Sequence, residues 1–244
     1  MTVSVDRIFD AVDGTWPAAE ETRLGIWTLR RGDGGGKRVS AATTEAATAS
    51  SDEIVRAETA MRKMGQTPLF MLRPGQEPLD AALDDRGYAV VDPVNIYACE
   101  VGKLTDKPIP RIMIFAIWEP LAIMNDIWDK GGIGPARRRV MERARGPKTG
   151  LLSRFNEQPA GTAFAAVHNG VAMVHAVEVL PHQRGLGVGS WMMRGAAFWA
   201  RDNGADTLAV LCTKTNTGAN ALYSSLGFEI VGEYHYRIAK EEHT

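Results

Sequence analysis

The sequence predicts an α/β (α+β) fold built as a smaller half followed by a larger one. Three observations predict it. Short apolar runs alternate with amphipathic stretches along the chain, and several of those stretches end on a glycine: Gly65, Gly87, Gly204 and Gly227. A polar, proline-containing segment, residues 102–111, separates two such series. With 45% hydrophobic and 23% charged residues, the chain has the composition of a globular protein with a core of its own.

In the first half, 24–30 reads as a strand, 31–36 as a glycine-rich turn and 37–42 as the returning strand. Ser51 or Asp52 caps a helix that runs to Met64. A buried strand at 69–72, a helix at 78–86 and two strands around Pro93 within 88–101 complete this half. The second half opens with a strand at 112–118, helices at 120–128 and 135–145, and strands at 150–156 and 162–167. Asn169-Gly170 between two apolar runs signals a hairpin into the strand 171–180. Helix 189–203, strand 207–212, helix 218–226 and strand 228–238 close the chain. The expected domains are therefore 1–105 and 106–244. A faint repeat relates them. Leu83 to Val91 lies over Tyr223 to Val231, each a helix end, a glycine, an aromatic and a strand.

Net charge is −1, from 28 basic and 29 acidic residues, so no global field draws the chain to nucleic acid or an anionic membrane. Arg137, Arg138, Arg139, Arg143 and Arg145 read as the solvated face of one helix. Cys99 and Cys212 give neither a disulfide framework nor a thiolate metal cluster, and suit a reducing compartment. No secretory signal or membrane span is recognisable, so the expected location is cytoplasmic.

The chemistry concentrates at Arg184-Gly185-Leu186-Gly187-Val188-Gly189, between a strand and a helix. Glycines there let backbone N–H groups converge on an anion, and the helix start adds unpaired donors and a positive dipole end. Arg184 adds a cation. A dinucleotide fold would require a glycine at Ser190, and a triphosphate loop a lysine before it. A plain glycine-rich turn is the third reading. The loop by itself leaves these open.

The run from Val177 to Gly189 resembles the phosphate-loop signature of the GNAT superfamily of N-acetyltransferases, Arg/Gln-x-x-Gly-x-Gly/Ala, with Arg184, Gly187 and Gly189 in its defining places. The family's second signature, Asn-x-x-Ala-x-x-x-Tyr-x-x-x-Gly-Phe, is filled by Asn216, Ala219, Tyr223, Gly227 and Phe228. The likeness covers about 150–238 well and 112–149 loosely. The first half looks like that of tandem-type members, whose degenerate N-terminal half packs beside the active one. There Leu83 replaces Tyr223 and no phosphate loop precedes it.

The resemblance implies a GNAT fold, a mixed and mostly antiparallel sheet flanked by helices, with acetyl-CoA in a cleft between two splayed strands. Its pyrophosphate would lie on Arg184 to Gly189 and Ser190. An acceptor, the primary amine of a small molecule or peptide, would attack the thioester directly. A backbone N–H near Val177 or Val179 would hold the oxyanion, and Tyr223 would protonate the departing thiolate. Ala219, one turn from Tyr223, would leave room for the pantetheine arm, and Asn216 would contact CoA or order its loop. His175 is the candidate base, placed by strand alternation on the same face as Val177, with Glu178 facing the other way. No metal is implied, and a homodimer is compatible with the family. The competing reading is a non-catalytic acyl-CoA-binding module, which needs no proton donor at the sulfur.

Overall fold

The computed structural model describes residues 3–240. Its helices are α1 (Val5–Thr15), α2 (Ser51–Lys63), α3 (Glu77–Asp85), α4 (Ala122–Lys130), α5 (Pro135–Arg143), α6 (Val188–Asp202) and α7 (Thr217–Ser225). Its strands are β1 (Glu20–Leu24), β2 (Trp27–Arg31), β3 (Leu69–Leu72), β4 (Ala89–Glu100), β5 (Ile114–Ile117), β6 (Lys148–Phe155), β7 (Gln158–His168), β8 (Val171–Val179), β9 (Thr207–Thr213) and β10 (Glu229–Ile238). Two compact units share the chain. The larger takes in Met1–Pro17, Ile96–Cys212 and Asn216–Val231; the smaller takes in Ala18–Asn95, Thr213–Thr215 and Gly232–Thr244.

In the larger unit the strands lie in the order β4-β9-β8-β7-β6-β5, β4 contributing its end from Ile96 to Glu100. The β5–β6, β6–β7 and β7–β8 pairs are antiparallel, and β8–β9 is parallel. Asn169 and Gly170 both take positive φ, 46° and 77°, as the two-residue turn between β7 and β8 requires. Strand alternation then sorts the side chains. Ala163, Ala165 and Val167 of β7 and Ala172 and Val174 of β8 join Met192, Met193, Ala196 and Ala197 of α6 in one core cluster. The residues between them, Phe164 and His175, turn to the opposite face and meet Trp16 just after α1. The α4 helix packs against β7 and β8, and its Trp128 is fully buried.

The smaller unit has its own core, in which Trp27, Phe70, Leu79, Leu83 and Tyr88 are buried together. Three details differ from the sequence reading. The hairpin turns at Gly25, so β1 pairs with β2, and 37–39 forms a 3-10 turn in place of a returning strand. Lys37 instead pairs with Asp92. β4 runs unbroken through Pro93. A helix not anticipated, α1, is capped by Ser4, whose Oγ accepts from the Arg7 amide.

The repeat seen in the sequence has the same local geometry in both places. After α3, Gly87 has φ 80°, its amide donates to Asp84 O (2.7 Å), and the Tyr88 amide donates to Leu83 O (3.0 Å). After α7, Gly227 has φ 81°, its amide donates to Ser224 O (3.1 Å), and the Phe228 amide donates to Tyr223 O (3.1 Å). Both are left-handed glycine caps that satisfy the last helical carbonyls.

Candidate functional site

The site is assembled around the place where two parallel strands part. β8 and β9 pair from Val171↔Thr207 to Val174↔Val210 and no further, yet β8 continues to Val179 and β9 to Thr213. Beyond Val174, then, the two strands diverge.

The loop following β8 enters α6 without a side-chain cap. Pro181–Gln183 forms a 3-10 turn. Gly185 and Gly187 have φ of 75° and 80°. A Cβ at either would touch nothing within 4 Å, so glycine is needed there for backbone conformation and not for space. Gly189 differs, because a Cβ on it would come within 2.9 Å of Leu222 Cδ2. It lets α7 approach the start of α6. The first helical amide to find a backbone acceptor is that of Trp191, which donates to Gly187 O (3.2 Å). The preceding amides, of Val188, Gly189 and Ser190, are the orphan donors of a helix start, and no acidic residue lies in this turn. α2 in the smaller unit shows the contrast. Its start is closed by a capping box, with Ser50 Oγ accepting from the Glu53 amide and the Glu53 carboxylate accepting from the Ser50 amide.

Arg184 is exposed but not idle. Its Nε donates to Val179 O (3.0 Å) and its Nη2 to Glu178 Oε1 (3.0 Å). The guanidinium thus ties the loop back to the end of β8.

Tyr223 is 4% exposed and lies between the rings of Tyr97 (5.5 Å) and Phe228 (5.8 Å). It shares a cluster with Val188, Met192, Val210 and Cys212, against which Val177, Val179 and Ala219 also pack. Its hydroxyl forms no hydrogen bond among the described residues. Burial pushes its pKa well above the ordinary tyrosine range, so it stays protonated through neutral pH. Burial likewise raises the Cys212 thiol to about 11. Asn216 is the N-cap of α7: its Oδ1 accepts from the Ala219 amide (3.2 Å). Its carbonyl accepts from Asn220 Nδ2, and Asn220 Oδ1 accepts from Tyr97 Oη (2.9 Å), which anchors the turn that carries Tyr223.

One feature of β8 reorders the face assignments made from the sequence. Phe164 of β7 pairs with His175 and Thr162 with Glu178, so Ala163 alone stands opposite both Ala176 and Val177. This is a β-bulge, with Ala176 at φ 52°. Its carbonyl, turned out of the ladder, accepts from Trp128 Nε1 (2.8 Å). The bulge resets the alternation. His175 and Glu178 therefore share the face toward α4, while Val177 and Val179 pack with the α6 cluster. The expectation that His175 shares a face with Val177 and opposes Glu178 is thereby corrected.

His175 is 4% exposed, beside Trp16 (4.9 Å between rings) and Phe164 (6.2 Å). Thr15 Oγ1 spends its proton on Ala11 O (2.6 Å), so it accepts from His175 Nε2 (2.9 Å) and fixes the ring proton on that nitrogen. Glu178 is only partly buried and lies so close to the end of α4 that a Cβ on Gly131 would sit 2.5 Å from its Oε2. Thus the structure gathers Arg184 to Ser190, Val177, Val179, Asn216, Ala219 and Tyr223 around the strand opening, and sets His175 apart with α1. Glu178, which the sequence alone turned away, is joined to the loop through Arg184. Among the described residues no cluster of His, Cys, Asp and Glu could hold a metal ion, and no helix is long and apolar enough to cross a membrane.

Comparison with known proteins agrees with this geometry. Residues 121–228 match the model of the acetyltransferase (GNAT) family. Over 234 residues the chain is 26% identical to an uncharacterized N-acetyltransferase, YobR, of Bacillus subtilis (strain 168), covering 93% of this chain and 95% of that protein. A GCN5-related N-acetyltransferase from Kribbella flavida has a similar fold, with a TM-score of 0.73 at 21% identity over 99% of this chain and 98% of the other. A tandem GNAT protein from the clavulanic acid biosynthesis pathway matches with a TM-score of 0.61 at 14% identity, over 92% of this chain and 84% of the other.

Proposed function

We propose that this chain is an acyl-CoA-dependent N-acetyltransferase of the GNAT type that moves the acetyl group of acetyl-CoA to a primary amine of a small molecule or peptide. The match of residues 121–228 to the acetyltransferase (GNAT) family and the N-acetyltransferase relative support this reading. The observation that carries the reading is the uncapped start of α6 beside the divergence of β8 and β9, with a buried, protonated tyrosine in the same cluster.

In this reading the amides of Val188, Gly189 and Ser190, with the loop from Arg184, receive the pyrophosphate, and Val177, Val179 and Ala219 flank the pantetheine arm. The amine nitrogen attacks the thioester carbonyl, whose oxygen becomes an oxyanion held by a backbone N–H at the bulge. Collapse breaks the C–S bond, and the Tyr223 hydroxyl gives its proton to the sulfur. The second proton of the attacking nitrogen, lost as the amide forms, balances the proton that returns to the tyrosine. The acceptor arrives as an ammonium with a pKa near ~10.4 and must first lose a proton. Glu178 suits that step better than His175. Its carboxylate is near the surface and next to the bulge, whereas the His175 ring is enclosed and its Nε2 is engaged by Thr15. The division into an acting domain at 106–244 and a degenerate one at 1–105 belongs to the same proposal. It is supported by the matched glycine caps after α3 and α7 and by the capping box that closes α2 to an anion.

The test is incubation with acetyl-CoA and a panel of primary amines, read as free thiol. Amine-dependent thiol release is the expected result. CoA binding without release from any amine would sink the enzymatic reading and leave the non-catalytic acyl-CoA-binding module.

A further inference from the structure

The Arg184–Glu178 pair joins two groups with different duties. Arg184 belongs to the loop read above as the pyrophosphate seat, and Glu178 to the acceptor side of the bulge. The guanidinium spans both, with Nε on Val179 O and Nη2 on Glu178 Oε1, each at 3.0 Å. Its side chain is 61% exposed, whereas the Glu178 side chain is only 18% exposed and passes close to Gly131. Among the described residues, no other ion pair or hydrogen bond holds the Glu178 carboxylate. The residue facing it on β7, Thr162, is uncharged, and on α4 the nearby Asp129 is engaged by Arg138.

From this we propose that Arg184 is a cofactor-sensing positioning residue: it guards Glu178 until acyl-CoA arrives, then changes partner. The inference rests on the acyl-CoA reading of the loop. A pyrophosphate on the α6 amides offers the guanidinium more negative charge than one carboxylate does. When Nη2 turns to it, Glu178 Oε1 loses its donor and is left with an open oxygen on the acceptor side. That oxygen takes the proton of the incoming ammonium, and the neutral amine attacks. Before the cofactor is seated, the same oxygen is covered. Linkage makes the effect reciprocal, because Glu178 competes with the cofactor for Arg184 and so weakens CoA binding.

The experiment is a double-mutant cycle on CoA affinity, measured by calorimetry with CoA itself. Neutralising the competitor, Glu178→Gln, should tighten CoA by about two- to fivefold, the range for a partly exposed ion pair. In an Arg184→Gln background the same change should do nothing, and acetyl-pantetheine, which lacks the pyrophosphate, should bind all the variants alike. Glu178→Gln that leaves CoA affinity unchanged or weakens it overturns the proposal. So does an equal gain with and without Arg184. A wild-type protein that binds no CoA would remove the reading beneath it as well, whereas CoA binding without coupling removes the switch alone.

Discussion

At the scale of single residues, the proposed reaction separates groups that hold from groups that react. In the proposed reaction Tyr223 gives its proton to the leaving thiolate: it is buried, its hydroxyl has no hydrogen-bond partner among the described residues, and its pKa is raised by burial. Tyr223→Phe keeps the ring between Tyr97 and Phe228 and removes the acid. It should lower kcat by about 10²-fold or more, with a much smaller change in the KM for acetyl-CoA. Steady-state kinetics with both substrates varied would check this, and an unchanged kcat would remove the acid role. His175 and Glu178 are distinguished by pH–rate profiles. Glu178→Gln should abolish the acidic limb. His175→Ala should leave that limb in place and instead destabilise the fold by about 1–3 kcal/mol, because Thr15 Oγ1 loses a buried partner and the rings around it lose packing. Denaturant unfolding reads the second effect. The cap at Asn216 and the turn glycines Gly185 and Gly187 were legible in the sequence because such local conformations depend on residue type at fixed positions. The face on which Glu178 lies was not, because it depends on how many residues β8 spends between two pairings.

At the scale of elements, close approaches set the geometry. A Cβ on Gly131 would press on the end of the Glu178 side chain, and Gly131 has an ordinary φ of −84°. Gly131→Ala should therefore move a flexible carboxylate and not break the helix. We expect the melting temperature to hold within a few degrees while kcat falls, and circular dichroism melts beside turnover would show it. A large loss of stability with normal kcat in the surviving fraction would count against Glu178. The α2 helix offers the opposite case, since its Ser50–Glu53 box is a purely local device that the sequence announces. Most helices and strands were readable in this local way, from periodicity and from glycine or Ser/Asp punctuation. The errors fall where neighbours decide. The chain around Gly34 to Gly36 carries every sign of a hairpin turn, yet the turn is made at Gly25, where φ is 59°. Lys37 and Arg38, read as strand, enter a 3-10 turn held by Lys37–Asp92 pairing across 55 positions of sequence.

For the molecule as a whole, the buried tyrosines bear on stability at high pH. Burial raises the pKa values of Tyr88, Tyr223 and Tyr236 well above the usual value, with Glu58 adding to the shift at Tyr88 and Tyr234 at Tyr236. Each holds its proton more tightly folded than unfolded. The stability this provides is complete below the unfolded value near ~10 and is lost as pH rises above it toward the folded values. Melting temperature should be level from neutral pH to about 9 and fall beyond about 10, with tyrosinate absorbance from these residues rising only as the chain unfolds. A large tyrosinate signal from the intact fold would contradict the burial.

The bulge in β8 has one more consequence. Since Ala176 and Val177 together occupy one place opposite Ala163, removing Ala176 would leave Phe164 facing His175 and Thr162 facing Glu178. Every cross-strand partner would survive, and so would every side chain named in the mechanism. What would vanish is a bend in the backbone and the carbonyl that Trp128 holds. A shortened chain of that kind asks a question no substitution can ask. It tests whether the enzyme depends on what the residue at 176 is, or only on there being one residue too many.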